Sequence, residues 1–393
     1  MPANTVLSRR ALNRATLCRQ LLLERSPLRP HDAIHALAGL QAQAPLAPHV
    51  GLWSRLAGYR PAALDELYDD RRVVRANLMR ATVHLTTADD ALRWQATLAP
   101  VGERSVQAAF GRRLAGIDIA KLTSTAEKLL RDEALTTAEL RRRLAEVFPG
   151  YDADALAYGA RGRLALVHVP PRGKWGATGA ATRQTDFAAW LGRAPERAGA
   201  PDAMVLRYLA ALGPATVQDM QAWSGLTRLS EAVERLSPEL VVFRDDQGRT
   251  LYDLPDAPRP SESVAAPVRF LPEYDNIFFG YADRTRFVPG LRKPPIPPGN
   301  GARTGTVFVD GEWRATWKIT LPVRRGRAAA GKNGGSSPEA PDPAAVLTVT
   351  LFADADAEDA AAIEREGADL ARFIAGPDTP VAPVRFEGPA QTD

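Results

Sequence analysis

The chain has 393 residues, 45% of them hydrophobic and 24% charged, which is ordinary for a globular protein able to bury more than one core. The sequence contains no apolar run long enough to span a membrane, and a single cysteine, Cys18, excludes an intramolecular disulfide and a thiolate-rich zinc site. The net charge of +4 comes from 50 Lys and Arg against 46 Asp and Glu, and it conceals an uneven distribution along the chain.

Residues 8–25 have the apolar spacing of an amphipathic helix, with Ser8 as its N-cap. Three further helices and two short strands are predicted after it, at residues 31–40, 48–57, 61–69, 73–78 and 82–86. Several helices followed by a two-stranded ribbon are typical of a winged helix, which is a variant of the helix-turn-helix.

This order of elements recurs twice along the chain. The second occurrence has two helices within 122–146, where Thr136 and Glu139 resemble a capping box, then a helix at 152–162 and a strand at 164–169. The third has helices and strands at residues 202–212, 216–222, 229–236, 240–244 and 250–254. We therefore predict three tandem winged-helix units, which occupy residues 5–115, 116–198 and 199–260.

From residue 264 the pattern changes to short apolar segments separated by Gly and Pro turns. Strands are predicted around Val288 and at residues 268–271, 306–309, 314–319 and 347–352, with a flexible loop at 325–345 and a final helix at 357–374. The predicted fold class is thus α+β, with three winged-helix units followed by a small β-rich C-terminal domain at 264–393.

The charges are unevenly distributed along the sequence. Residues 1–337 carry 47 Lys and Arg against 34 Asp and Glu, or +13, whereas residues 338–393 carry 3 against 12, or −9. Arginine accounts for 44 of the 50 basic residues, and its planar guanidinium suits phosphate groups. A basic body fits a nucleic-acid partner, although a GC-rich genome would also favour arginine over lysine.

Several separated blocks resemble one family when they are taken together. They are Leu40–Pro45 (LQAQAP), Gly51–Leu56 (GLWSRL), Leu78–Leu85 (LMRATVHL), Leu271–Asn276 (LPEYDN) and Ala282–Arg286 (ADRTR). In this order they resemble the bacterial winged-helix DNA glycosylases of the AlkZ and YcaQ type. The resemblance implies a DNA glycosylase that excises N7-alkylguanine and unhooks interstrand crosslinks, with double-stranded DNA containing alkylated guanine as its partner.

In that family the catalytic motif is Gln-aliphatic-Gln in one branch and Gln-aliphatic-Asp in the other. Gln41 and Gln43 match the first branch, which is the antibiotic self-resistance branch, and resemble the hedamycin-type resistance glycosylases within it. The resemblance implies that both glutamines are catalytic. It also implies lesions left by DNA-alkylating natural products of the azinomycin, trioxacarcin and hedamycin kinds.

The chemistry of two amides sets a condition on the substrate. In an extended segment, residues i and i+2 share a face, so Gln41 and Gln43 can direct their amides to one water molecule. An amide has no useful basicity near pH 7, so the leaving group must already be good. N7-alkylguanine carries a positive charge that is neutralised when the base departs, which satisfies this condition. Glutamines beside a helix end are otherwise commonly capping or surface groups.

Other residues near these blocks are candidates for supporting roles. Asp275 is predicted to stabilise positive charge on the sugar or to orient a glutamine, with Asn276, His84 and Tyr281 near the lesion. Tyr281 stands where many relatives have histidine, a departure that alters the predicted contacts. Phosphate contacts are predicted for the basic residues Arg75, Arg80, Arg284, Arg286 and Lys174. The alternatives are a turn role for Asp275, a structural role for His84 and surface positions for the arginines.

Two classes of function remain open from the sequence. The first is a monofunctional glycosylase, since the matched motifs contain no lysine for Schiff-base lyase chemistry. The second is a non-enzymatic winged-helix regulator that binds DNA. For either class we expect a monomer in the cytoplasm, associated with the nucleoid and not with membranes, and we predict no cofactor and no metal.

Overall fold

The computed structural model describes residues 5–177, 179–288, 304–322 and 344–388. The chain divides into two compact units, one of Met1–Val264 with Tyr274–Arg286 and the other of Ala265–Glu273 with Phe287–Asp393. The short segment that contains Asp275 and Asn276 therefore belongs to the first unit. Almost all of the predicted flexible loop at 325–345 lies outside the described residues.

The first part of the chain is mainly helical and contains four short strands, of which the last two form a hairpin. Its elements are β1 Val6–Leu7, α1 Arg9–Arg19, α2 Pro30–Ala36, β2 Leu40–Gln41, α3 Ala47–Arg55, α4 Pro61–Asp69, β3 Val73–Asn77, β4 Val83–Thr87 and α5 Ala88–Phe110. The helix α5 was not predicted from the sequence. Thr87 caps it by accepting from Asp90 N, and two aspartates in its first turn suit the positive end of the helix dipole.

The next part repeats the alternation of helices and strands. It contains α6 Ile119–Asp132, β5 Leu135–Thr136, α7 Thr137–Val147, α8 Ala153–Arg161, β6 Leu166–Val169, β7 Arg183–Asp186, α9 Phe187–Leu191, α10 Asp202–Leu212, α11 Val217–Ser224, α12 Ser230–Leu236, β8 Val241–Asp245 and β9 Thr250–Asp253. The predicted capping box is confirmed, because Thr136 and Glu139 bond each other's backbone at the start of α7.

One sheet organises much of the first unit. Within the described residues its strand order is β2-β4-β3-β6-β7-β5, and β3 pairs antiparallel with β6, which places Arg75 opposite His168. Strands of the first two predicted winged-helix units thus share a single sheet. Because β6 pairs with β3, the edge of β3 that faces away from β4 is also hydrogen-bonded. The number of winged-helix units stays a prediction.

The remaining elements are β10 Arg269–Leu271, α13 Asn276–Phe279, β11 Gly305–Val309, β12 Glu312–Thr320, β13 Val346–Leu351, α14 Ala357–Ala375 and β14 Arg385–Glu387. Of these, α13 belongs to the first unit. In the described part of the second unit the sheet order is β10-β11-β12-β13-β14, and α14 packs on β10 and β13 through buried residues such as Ile363 and Leu370.

Candidate active site

The two glutamines of the predicted catalytic motif lie on and just after β2. Leu40 and Ala42 are buried in the core under this strand, so Gln41, which lies between them, projects from the opposite face. Gly39, immediately before the strand, has φ +91°, and a Cβ at this position would lie 2.7 Å from Thr86 Cγ2. A glycine is therefore required where the chain leaves α2 and turns into β2.

The glutamine side chains form a directional chain of hydrogen bonds. Arg80 Nη2 donates to Gln41 Oε1 at 2.9 Å, and Gln41 Nε2 donates to Gln43 Oε1 at 3.3 Å. Because a guanidinium has only donors, Gln41 must direct its oxygen to Arg80 and its nitrogen to Gln43. Gln41 is buried and Gln43 is half-buried, so the chain becomes more exposed from Gln41 to Gln43. The expected proximity of the two amides is confirmed.

Arg80 lies in the tight connection between β3 and β4. Arg80 and Ala81 both have φ 56°, a left-handed conformation that is strained for residues with a Cβ and that recurs at functional sites. The guanidinium also donates to Trp223 O and to His84 Nε2, the latter at 3.2 Å. Burial, with a smaller contribution from the Arg284 charge, lowers the pKa of Arg80 to about 10, so it stays charged at neutral pH.

His84 lies opposite Gln41 in the pairing of β4 with β2. Its Nδ1 donates to Thr82 O at 2.8 Å, which leaves Nε2 as the acceptor for Arg80. Burial, reinforced by the Arg80 charge, lowers the pKa of His84 to about 3. The imidazole is therefore neutral at physiological pH, and its unprotonated Nε2 accepts a hydrogen bond from the Arg80 guanidinium and holds it in place.

The neutral state of His84 predicts how stability depends on pH. Burial also lowers the pKa of His168 and of His49. Below about pH 6.5 the unfolded chain gains protons that the folded chain does not. The free energy of unfolding should thus be unaffected by these groups above pH 6.5 and fall below it, by up to ~1.4 kcal/mol per pH unit per histidine. Urea unfolding at pH 7.5 and 5.5 measures this. The free energy of unfolding of His84→Gln should fall less between pH 7.5 and 5.5 than that of the wild type. An equal fall in both proteins would contradict the lowered pKa of His84.

Asp275 forms a buried ion pair with Arg55. Arg55 Nη1 and Nη2 donate to the two carboxylate oxygens at 2.9 and 2.8 Å, and both side chains are almost completely buried. Asp275 also caps α13 by accepting from Ile277 N at 3.2 Å. The carboxylate thus anchors α13 to α3. Its contacts are with Arg55 and Ile277, and it is connected to the glutamines only through the neighbouring Asn276.

Removing this carboxylate should strongly destabilise the fold. Asp275→Asn leaves the Arg55 guanidinium buried without a counter-charge, which costs about 3–5 kcal/mol. The matched control is Asp202→Asn, because Asp202 pairs with Arg235 at a much more exposed position and should lose at most about 1 kcal/mol. Chemical denaturation of both variants measures the difference. Equal losses would contradict the role of the buried pair.

Asn276, the residue after Asp275, contacts the backbone of the glutamine segment. Its Oδ1 accepts from Gln41 N at 3.1 Å, and its Nδ2 donates to Gly39 O. The side chain is 6% exposed. The structure therefore brings Asn276 to the motif through the main chain of β2, and its place near the lesion stays a prediction.

Two of the predicted phosphate-binding residues have other partners. Arg75 is buried in β3, where Nη2 donates to Ala42 O at 2.8 Å and Nη1 donates to Arg172 O at 3.0 Å. It holds the backbone between the two glutamines. Lys174 forms an ion pair with Asp69.

Tyr281 and Arg286 lie in the interior of the first unit. The Tyr281 hydroxyl donates to Leu212 O at 2.5 Å, and the Arg286 guanidinium carbon lies 3.9 Å from the centroid of the Tyr281 ring. Arg286 Nη1 also donates to Thr16 Oγ1 at 3.2 Å. Both residues therefore contribute to packing between α1, α10 and the segment after α13.

Arg284 has a different environment. Its guanidinium carbon lies 5.5 Å from the centroid of the Phe279 ring, the same distance as that of Arg80. Its Nε is buried and, among the described residues, has no hydrogen-bond partner. Burial lowers the pKa of Arg284. Two guanidinium groups thus meet at one aromatic ring beside the glutamine chain.

Sequence reasoning missed three residues that build this site. Arg55 and Gly39 stand in or next to blocks that carry the family resemblance, but nothing in the sequence showed that Arg55 pairs with a residue 220 positions away. Phe279 had no distinguishing pattern. In the part of the chain that the structure describes, no group of three or more His, Cys, Asp or Glu side chains could hold a metal ion. None of the described helices is long and apolar enough to cross a bilayer.

A comparison with protein families decides the identity. Residues 34–373 match the family model described as DNA glycosylase AlkZ-like. The chain belongs to the AlkZ-like DNA glycosylase family. This membership confirms the family resemblance read from the sequence blocks, and it supports an enzyme of DNA repair over a DNA-binding regulator.

The AlkZ-like fold also appears in a solved structure. The chain is similar to the DNA glycosylase AlkZ of Streptomyces sahachiroi, with a TM-score of 0.70 and 20% sequence identity over 98% of this chain and 100% of that one. At this identity the likeness shows the fold, and the predicted α+β class is confirmed. A search of curated proteins gave no match.

Proposed function

We propose that this AlkZ-like glycosylase hydrolyses the N-glycosidic bond of cationic N7-alkylguanine in double-stranded DNA. The observation that carries the proposal is the hydrogen-bonded chain Arg80–Gln41–Gln43, which ends on a half-buried amide. Gln43 Oε1 retains an acceptor site and its Nε2 two donors, enough to hold one water molecule by accepting and donating.

The two glutamines position the water and do not deprotonate it. Glycosidic cleavage passes through an oxocarbenium-like transition state, and a cationic base leaves as a neutral one. Holding water at the sugar C1′ atom then supplies the remaining catalysis through proximity and orientation. Undamaged guanine is neutral and leaves poorly, so the chemistry selects the alkylated base.

Arg284 is the predicted DNA-binding residue whose environment best supports a phosphate contact. Its buried Nε has no acceptor among the described residues, and it lies beside the same Phe279 ring as Arg80. Arg284 as a whole is half-buried, and a phosphodiester next to the lesion would supply a counter-charge for its guanidinium. We assign Arg75 and Arg286 to internal positions on the basis of their partners.

The finer features of the proposal follow from the family resemblance and the motif. The substrates would be bulky natural-product monoadducts or interstrand crosslinks in a self-resistance role, and the enzyme would act as a monomer. It would also be monofunctional, since the glutamine chain contains no amine for a Schiff base.

The proposal is tested with a duplex that carries one N7-methylguanine. After incubation with the enzyme, an AP endonuclease at 37 °C should nick the strand at the lesion well above the level in an enzyme-free control, because heat and alkali release N7-methylguanine by themselves. Borohydride should trap no covalent protein–DNA product. Intact strands together with tight, sequence-specific binding would indicate a regulator. A borohydride-trapped complex would contradict monofunctional hydrolysis.

A further inference from the structure

The strand that carries Gln41 has an open edge. Among the described strands, β2 is the last in its sheet and pairs with β4 alone. Ala42 N donates to Val83 O at 2.8 Å, so Ala42 directs its backbone groups to β4. In an extended segment, alternate residues direct their backbone groups to opposite sides. The Gln41 N–H and the Gly39 carbonyl therefore point to the side where no described strand pairs.

The Asn276 side chain meets these two backbone groups. Its Oδ1 accepts from Gln41 N at 3.1 Å and its Nδ2 donates to Gly39 O, so one carboxamide makes the pair of bonds that a neighbouring strand would make. A primary amide has the donor and acceptor of a peptide group on adjacent atoms. An ionised aspartate at position 276 would have no donor for Gly39 O.

The carboxamide is itself held rigidly. Asn276 is the first residue of α13, which Asp275 caps, and Asp275 is bound in two places by the buried Arg55 guanidinium. Arg55 in turn donates from Nε to Gln20 O at 3.0 Å and from Nη1 to Gly51 O at 3.1 Å. A series of buried contacts thus connects α1 and α3 to the backbone of Gln41.

We propose that Asn276 is a positioning residue, which completes the edge of β2 and fixes the main chain from which Gln41 extends to Arg80 and Gln43. This inference rests on the proposed function of the glutamine chain. The Gln41 side chain bonds Arg80 at 2.9 Å and Gln43 at 3.3 Å, so a small shift of its backbone breaks one of the two bonds. Asn276 acts through Gln41 and does not itself touch the substrate.

The test compares Asn276→Asp with the wild type across pH. At pH 8 we expect kcat for excision of N7-methylguanine to fall about 10- to 100-fold, with KM for the duplex changed less than about twofold. As the pH falls toward 5, the variant should recover, because a protonated carboxyl donates to Gly39 O and accepts from Gln41 N. The wild-type profile should lack this rise once spontaneous base loss, measured without enzyme, is subtracted.

Asn13→Asp is the matched control. Asn13 is also buried in the first unit, where Nδ2 donates to Arg286 O at 2.9 Å, and it lies outside the glutamine chain. Its variant should keep the wild-type kcat at both pH values. An equal loss in Asn13→Asp, a wild-type kcat in Asn276→Asp at pH 8, or a loss that does not recover at low pH would overturn the positioning role.

Amide hydrogen exchange gives a readout that does not depend on catalysis. The Gln41 N–H should exchange at least tenfold faster in Asn276→Asp than in the wild type at pH 8, while the Ala42 N–H, which bonds β4, changes less. Unchanged exchange at Gln41 would overturn the proposed contact. A wild-type enzyme that fails to release N7-methylguanine would instead overturn the proposed function, and that result is visible before any variant is compared.

Discussion

Gln43→Met should reduce excision of N7-methylguanine by about 100- to 1000-fold while leaving affinity for the alkylated duplex unchanged. Methionine has nearly the length of glutamine but offers neither the N–H donors nor the carbonyl oxygen that would hold the water. The expected loss corresponds to removing a positioned polar group that acts in the transition state. Single-turnover kinetics measure the rate when an AP endonuclease nicks the abasic product and enzyme-free base loss is subtracted. Binding under the same salt conditions measures affinity.

Gln43→Glu is the informative partner of this variant. A carboxylate at position 43 still accepts from Gln41 Nε2, which lies 3.3 Å from the oxygen in the wild type, and it still accepts a hydrogen from water. We expect this variant to retain most of its activity on N7-methylguanine. If methionine and glutamate lower the rate equally, catalysis requires the N–H donors of Gln43, and an acceptor alone at this position is not sufficient. If methionine has no effect, Gln43 has no catalytic role.

Arg80→Lys should lower kcat for excision about 10- to 100-fold, although the positive charge is kept. A lysine ammonium cannot bond Gln41 Oε1, His84 Nε2 and Trp223 O at once as the arginine does. Without the fixed donor, the Gln41 amide is free to rotate and the chain to Gln43 loses its direction. Comparing the effects on kcat and on KM separates this role from phosphate binding. Loss of a phosphate contact would instead raise KM and make KM depend less steeply on salt concentration.

A double-variant cycle gives this prediction its sharpest control. Gln41→Met removes the acceptor that Arg80 fixes, so adding Arg80→Lys to it should cause little further loss of excision rate. The same addition to Lys174→Gln, whose ion pair with Asp69 lies outside the glutamine chain, should be close to additive. Additivity with both partners would contradict the idea that Arg80 acts through Gln41.

The sequence predicted most elements of the fold because their signals were local. The helix α10 was predicted at its observed bounds, 202–212, and α4 likewise at 61–69. The helix α5 was missed, because its apolar residues follow directly on strand β4 and Pro100 interrupts the pattern. Strands of two residues, such as β2 and β5, are too short to show any alternation and form only through their partners.

The site could be predicted in part, for a similar reason. Gln41 and Gln43 are two residues apart in the sequence, so their shared face followed from strand geometry alone. The roles of Arg75 and Arg286 did not follow, because an arginine in the sequence does not show whether it faces solvent or a buried carbonyl. The Arg55–Asp275 pair and the Asn276 contact join distant segments, and only the folded chain brings them together.

The central claim is that the leaving base must carry a positive charge, and an isosteric pair of substrates tests it most directly. One duplex contains N7-methylguanine and the other contains 7-methyl-7-deazaguanine, which has the same shape but no charge. The account predicts that both duplexes bind with similar affinity and that the enzyme releases only the cationic base at a measurable rate. Release of the neutral analogue at a comparable rate would show that the enzyme activates the leaving group in some other way, and would contradict the account.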